Sequence, residues 1–425
     1  MSSDVDVAAP GIDLPDAADS EEPTGLWQRA LDNLRTGNLG VLPIVVGLLL
    51  IVLFFSFKSA NFFTADNFNN VIVQMAGTCM LAYGVVFVLL LGEIDLSIGY
   101  LSGLAAVFVA ELQLPGTDQD FPFSLIAPVT GVLAIVITVA LIGAIGAAQG
   151  TIVAKVGVPS FVVTLAGLLI FQGFILQILE VRGTILIQDH WINDTAYYYF
   201  SESKGWIVAA IITGLYAGVV LFHVVGQRRA GLAVRQPWMM VAKVVGVAVA
   251  CFGTVAISNH ADVPKGLPLA GVIVVVFLVV LTFLAKQTSF GRHVYAVGGN
   301  AEAARRAGIN VARIRILVFV ISAAMAAFGG IILAANVNSV DLNVGGGTLL
   351  LNAISAAVIG GVSLFGGRGE VRGALLGSLV IATVANGLNT AGYKNGTIYV
   401  VTGVILLLAV TLDTIARRLQ VKSGR

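Results

Sequence analysis

The chain is 425 residues long, 57% hydrophobic and only 11% charged, with a mean hydropathy of +0.94. A soluble protein of this length needs far more charge to cover its surface, so the composition specifies a polytopic membrane protein. The net charge of +1 offers no electrostatic footprint for nucleic acid, and the two cysteines, Cys79 and Cys251, sit in apolar runs and read as packing residues.

Residues 1–24 carry seven acids (Asp4, Asp6, Asp13, Asp16, Asp19, Glu21 and Glu22) and no lysine or arginine. Such a segment buries too little apolar surface to fold, and residues 1–40 are expected to form a disordered acidic tail without a signal-peptide pattern. A membrane helix needs roughly 20 predominantly apolar residues. By that measure spans are expected at 41–57, 71–92, 96–113, 124–148, 160–180, 205–226, 239–258, 266–285, 314–335, 349–365, 371–390 and 396–416. Those at 96–113, 160–180 and 349–365 are short or interrupted by glycine and polar residues, which leaves a range of ten to twelve. The expected fold is therefore an all-α polytopic membrane protein.

Placing the N-terminus inside and alternating puts 19 of the 24 Lys and Arg residues at inside segments. The five outside are Lys58, Arg182, Lys204, Lys265 and Lys394. That asymmetry supports an even number of spans with both termini cytoplasmic, ending in a basic tail over 417–425. An internal echo links Gln149-Gly150 and the following 158–163 to Asn386-Gly387 and the following 396–400. In this topology the two copies have opposite orientation, as in an inverted repeat. So few identities carry it that coincidence is the better account.

A polar island, GRHVYAVGGNAEAARRAGI over Gly291–Ile309, separates two very apolar flanks. Asn300 is placed to cap a short helix over Ala301–Ala307, with Glu302 in its first turn, Ala303 beside it and Arg305 and Arg306 near its end. Gly308 supplies the stop. The spacing alone admits a docking element and a solvated inside-positive loop equally. Glu93 and Asp95, in GEIDLSIGYLSG, fall at the inside boundary between two spans. Intramembrane acids are functional candidates by default, but Asp95 followed by Ser97 and Gly99 also reads as a structural turn and helix start.

GGRGEVRGALLG, over Gly366–Gly377, is neither a Rossmann fingerprint nor a Walker A loop, and reads as a tight inside turn. Gly373-xxx-Gly377, Gly99-xxx-Gly103, Gly146-xxx-Gly150 and Gly214-xxx-Gly218 are expected to let helices approach closely. The amides Gln149, Gln172, Asn336, Asn352, Asn386 and Asn389 are candidates for a pathway that takes a neutral, polyhydroxylated solute, with Phe171 or Phe328 as stacking faces. For each amide taken singly, interhelical glue is the better reading. The four histidines are scattered and no nucleophile motif occurs, so nothing points to an enzyme.

Together, GEIDLSIGYLSG (92–103), VGVPSFVVTLAG (156–167), GRHVYAVGGNAEAARRAGI (291–309) and GGRGEVRGALLGSL (366–379) resemble the permease subunits of bacterial sugar importers of the ATP-binding-cassette class. The likeness covers about residues 41–416 and is strongest to the ribose, xylose, galactose and arabinose branch. The resemblance implies a multi-pass inner-membrane subunit that binds no cofactor itself. It also implies three partners: a cytosolic ATPase with two fused cassettes that hydrolyses ATP with Mg, an extracytoplasmic sugar-binding protein, and a second permease copy.

The resemblance makes 287–313 the coupling loop, with Asn300, Glu302, Ala303, Arg305, Arg306 and Gly308 meeting the ATPase. An added hairpin between about 205 and 258 tilts the likeness toward the xylose or multiple-sugar permeases. The alternative is a stand-alone secondary transporter or channel, which would be marked by carboxylates at mid-depth.

Overall fold

The computed structural model describes residues 42–114, 128–229, 237–262 and 264–422. The whole of the acidic tail, 1–40, and the last three residues of the basic tail lie outside that range. Among the described residues fifteen α-helices and two short β-pairs follow in order. The first five helices are α1 (Leu42–Lys58), α2 (Ala65–Leu90), α3 (Ile98–Leu112), α4 (Gly131–Thr151) and α5 (Ser160–Arg182), with α4 running on through a π-turn at Ile152–Val156. Then come β1 (Ile185–Leu186), α6 (His190–Tyr197), β2 (Tyr199–Phe200), α7 (Glu202–Arg229), α8 (Pro237–Ser258), β3 (Leu267–Pro268) and α9 (Leu269–Gln287). The last are α10 (Ser289–Gly299), α11 (Ala301–Arg306), α12 (Val311–Val337), β4 (Ser339–Val340), α13 (Leu349–Ile359), α14 (Val371–Thr390) and α15 (Asn395–Lys422).

Each of the twelve expected spans overlaps a helix, although residue 41 and residues 124–127 of two of them lie outside the described residues. Eight helices among the described residues are long and apolar enough to cross a membrane. The expected spans 41–57, 96–113, 349–365 and 396–416 are shorter apolar stretches, at Pro43–Lys58, Ile98–Leu112, Leu349–Ile359 and Asn395–Leu408. Three helical features went unforeseen. The π-turn extends α4, and α6 is eight residues held by Asp189, whose Oδ1 accepts from the Trp191 and Ile192 N–H groups at 2.8 and 3.4 Å. The third, α10, is amphipathic, burying Gly291, Val294 and Val297 along one stripe.

The core is built on α2 and α12, which pack antiparallel. A Cβ built on Gly77 would stand 3.1 Å from the Gly329 carbonyl oxygen, and one on Gly84 3.0 Å from that of Ser322. Residue numbers rise on one helix as they fall on the other. Around this pair the neighbours are exchanged: α12 packs on α3 and α4, while α2 packs on α13 and α14. A long helix, a short helix and two long ones thus occur in that order twice, with opposite direction. This is the arrangement of an inverted repeat, and the echoed segments fall at equivalent places, the α4–α5 and α14–α15 junctions.

Two of the short helices begin inside the bundle. The segment 91–97 carries the chain inward from the end of α2 before α3 starts, and Ser322, in the middle of α12, bonds to Asp95. From the opposite end, 341–348 turns back in after α12. Its Val344 and Gly345 carbonyl oxygens would lie 2.6 and 2.9 Å from Cβ atoms built on Gly103 and Gly99. Irregular backbone at this depth is tolerated because protein surrounds it.

Of the four glycine pairs, Gly146/Gly150 and Gly373/Gly377 bring helices together. Gly99/Gly103 instead admit the turn at 344–345, where Gly345 adopts φ +74°. Gly214/Gly218 face open space, because α7 and α8 form a hairpin on the outside of the bundle with little of their surface buried. A sequence pattern for close approach has no effect where no partner helix lies opposite.

Substitutions should separate these cases. A Cβ on Gly377 would fall 1.9 Å from the Ala356 carbonyl oxygen, so Gly377→Ala should destabilise by about 1–3 kcal/mol through overpacking. Gly214→Ala meets nothing within 4 Å and should be neutral or stabilising by up to about 1 kcal/mol. Thermal unfolding of the purified variants in detergent measures both.

Candidate functional site

The island forms two helices, α10 and α11, of which only the second matches the expected element. The Ala303 N–H donates to Asn300 Oδ1 at 2.9 Å, capping α11. Gly308 adopts φ +84°, and the Gly308 and Ile309 N–H groups donate back to the Arg305 and Ala304 carbonyls, both at 3.0 Å. This is a glycine-closed helix end. Ala304 is the buried anchor at 4% exposure, whereas Asn300, Glu302, Ala303, Arg305, Arg306 and Gly308 all face outward. Glu302 pairs with Arg305 at 3.1 Å and Arg306 at 3.2 Å within the helix. The arginine side chains are 66% and 79% exposed, so these pairs are worth a few tenths of a kcal/mol and leave the guanidinium groups accessible.

The island is fastened to the bundle. A Cβ on Gly298 would stand 1.8 Å from the Leu90 carbonyl oxygen, which accepts the Gly367 N–H at 2.9 Å. The Tyr295 hydroxyl donates to the Gly369 carbonyl at 2.8 Å. Lys286 pairs with Glu370, and Arg372 Nη2 reaches the same carboxylate at 2.6 Å. Burial alone would raise the pKa of Glu370, but its bonds to Lys286 and Arg372 outweigh that and hold it below the usual carboxylate value. Burial, and then the Glu370 charge, push the Tyr295 hydroxyl upward. Arg315 and Glu93 form a further ion pair at 2.9 Å. The 366–372 turn is therefore a docked element that ties the island to the ends of α2 and α13, not an independent turn. Gly373 lies just past it, inside the first turn of α14 against Gly360.

Asp95 is buried, although the sequence places it at a boundary. Its Oδ1 accepts from the Ser97 N–H at 3.0 Å and the Ser97 hydroxyl at 2.7 Å, and its Oδ2 accepts from the Ser322 hydroxyl at 3.1 Å. Gln149 Nε2 donates to Ser97 Oγ at 3.1 Å. This polar knot joins α4, the start of α3 and the middle of α12. Glu111, near the end of α3, is buried with Arg182 at 3.4 Å.

The six amides do not form one pathway. Gln172 and Asn352 line a cavity of about 700 Å³ together with Tyr100, Leu176, Leu342, Asn343, Gly346, Gly347, Thr348, Leu349 and Tyr399. No charged side chain among the described residues lines it. Gln149 belongs to the polar knot, Asn386 is buried within α14, Asn389 is exposed at its end, and Asn336 meets Tyr197 through its backbone carbonyl. Phe171 is buried and Phe328 packs on Phe277 at 4.7 Å between ring centres, so neither reaches the cavity. Sequence reasoning missed Tyr100, Asn343, Thr348 and Tyr399. The available signal was NVGGGT (343–348), a glycine run between two apolar stretches.

Residues 67–410 match the family described as branched-chain amino acid transport system / permease component. The chain is 35% identical over 388 residues to the xylose transport system permease protein XylH of Escherichia coli (strain K12), covering 91% of this chain and 94% of that one. It is 34% identical over 391 residues to XylH of Haemophilus influenzae, with 90% and 98% covered. The ribose import permease protein RbsC of Bacillus subtilis is 28% identical over 368 residues, with 87% and 91% covered. No solved structure matches the chain.

The Glu370 latch has a defined pH dependence. Because the folded-state pKa is depressed, its stabilisation is present above the ordinary value of 4.5 and is lost as pH falls through the lowered folded value. Glu370→Gln should therefore be less stable than the parent at neutral pH, with the gap closing below about pH 4.5. Unfolding temperatures of both proteins across that range give the comparison. A gap that is independent of pH would mean that the carboxylate charge contributes nothing.

Proposed function

The chain belongs to the branched-chain amino acid transport system / permease component family, and on that premise we propose that it is the membrane subunit of an ATP-driven sugar importer, taking a pentose such as xylose. The observation that carries this reading is the end-to-end likeness, over 91% of the chain, to a permease named for xylose. The uncharged cavity favours a neutral solute over an amino-acid zwitterion, which would need charged partners. Under this reading the protein lies in the bacterial inner membrane with both termini and the island cytoplasmic. ATP is hydrolysed with Mg by a separate fused-cassette ATPase. A sugar-binding protein delivers cargo from the opposite side, and two permease copies pair.

The island is the docking element for the ATPase. It offers Glu302, Ala303, Arg305 and Arg306 outward on an anchored helix, and its support by the 366–372 turn suits it to receive force. A second reading, a stand-alone proton-coupled carrier, is favoured by one observation, the burial of Asp95. Against it, both Asp95 oxygens already accept from Ser97 and Ser322.

Proteoliposomes holding the permease, ATPase and binding protein should accumulate xylose only with ATP. Accumulation by this chain alone under a proton gradient would establish the carrier instead. Charge inversion of α11 tests docking. Glu302→Arg with Arg305→Glu and Arg306→Glu keeps the intrahelical pairing while reversing the surface charge. It should weaken ATPase association roughly tenfold, about 1.4 kcal/mol. Unchanged pull-down would make these arginines inside-positive charges only.

A further inference from the structure

We propose that the cavity is a sugar-binding subsite on the permease itself, in which Tyr100 and Tyr399 flank a neutral pyranose ring and Gln172, Asn343, Thr348 and Asn352 meet its hydroxyls. The proposal rests on the importer reading for its cargo but not for its geometry. Four separate chain segments converge here: the first turn of α3, the middle of α5, the re-entrant 342–349 run with the start of α13, and the first turns of α15.

Both tyrosine hydroxyls close on one glycine pair. The Tyr100 hydroxyl lies 3.1 Å from a Cβ built on Gly346, and that of Tyr399 lies 3.9 Å from one built on Gly347. A side chain at either glycine would enter the space beside these hydroxyls. The volume of about 700 Å³ is within the ~300–1,000 Å³ of small-molecule pockets.

The lining chemistry selects a ligand class. Amide and hydroxyl groups both donate and accept, as a sugar hydroxyl does. Aromatic faces suit the apolar C–H face of a pyranose, as amphipathic rings with a polar tip. With no charged side chain in the lining, nothing compensates the desolvation of an ionic cargo. Hydrogen bonds within the lining fix its groups in place. Asn352 Nδ2 donates to Thr348 Oγ1 at 3.3 Å across the first turn of α13, and the Gly346 N–H donates to the Asn343 carbonyl at 3.0 Å.

Saturation-transfer NMR on the full chain in nanodiscs tests this directly, with D-xylose and L-leucine as separate probes. Irradiating protein resonances should transfer saturation to the xylose C–H protons and not to leucine. Tyr399→Ala and Asn343→Ala, both at exposed positions that leave the core intact, should each cut the xylose signal at least threefold. Phe161→Ala, exposed on α5 away from the cavity, should leave it unchanged. No transfer to xylose, or transfer unaffected by both cavity variants, overturns the subsite. Transfer to leucine that is lost in those variants overturns the neutral-sugar assignment. Should the reconstituted importer accumulate xylose while the chain shows no transfer, the subsite fails and the importer reading stands. If xylose binds but no ATP-dependent uptake occurs, the importer reading fails and the subsite stands.

Discussion

Gly298 has no side chain, and the carbonyl of Leu90 stands where one would be. From that contact follows much of the organisation at this end of the bundle. The Leu90 carbonyl also receives the Gly367 N–H, so three chain segments meet at one oxygen: the end of α2, the end of α10 and the turn between α13 and α14. Contacts this close between backbones have no flexible side chain to absorb displacement. The Lys286–Glu370–Arg372 cluster and the Tyr295–Gly369 bond surround the junction and orient it. The end of α10, which leads into α11, is therefore held by backbone contacts to the end of α2 and to the turn after α13.

The course of α13 gives the junction its functional sense. One end of α13 follows the re-entrant segment and lines the cavity through Thr348, Leu349 and Asn352; the other leads into the fastened turn. An 11-residue helix is about 16 Å long, so one short helix separates the cavity from the 366–372 turn on which the island rests. α3 is its counterpart in the other half, beginning at the Asp95 knot and contributing Tyr100. The two half-helices meet near Gly99 and Gly345, which places the proposed binding region where both repeats can act on it.

The parts legible in the sequence are those governed by local chemistry. Apolar length located every span, and the Asn300 cap and Gly308 stop located α11, because each depends on residues within one turn of the other. The depth of Asp95 was not legible: it depends on seven irregular residues carrying the chain inward to meet Ser322 in another helix. The cavity was half legible. Gln172 and Asn352 were distinguishable as amides in apolar runs, but their separation from Asn336, Asn386 and Asn389 depends on the re-entrant turn, which no periodicity marks. Gly214-xxx-Gly218 misled because a close-approach pattern requires a partner on that face, and nothing lies within 4 Å of a Cβ built on either glycine.

The central claim is that the island and α13 move as one body. Spin labels at Ala303, on the exposed face of α11, and at Leu351, exposed near the start of α13, measure it by double electron–electron resonance in the assembled transporter. The account predicts one narrow distance distribution that stays the same with and without ATP, while distances from Ala303 to the peripheral α7–α8 hairpin change. A distribution that shifts or splits between Ala303 and Leu351 on ATP binding would contradict it.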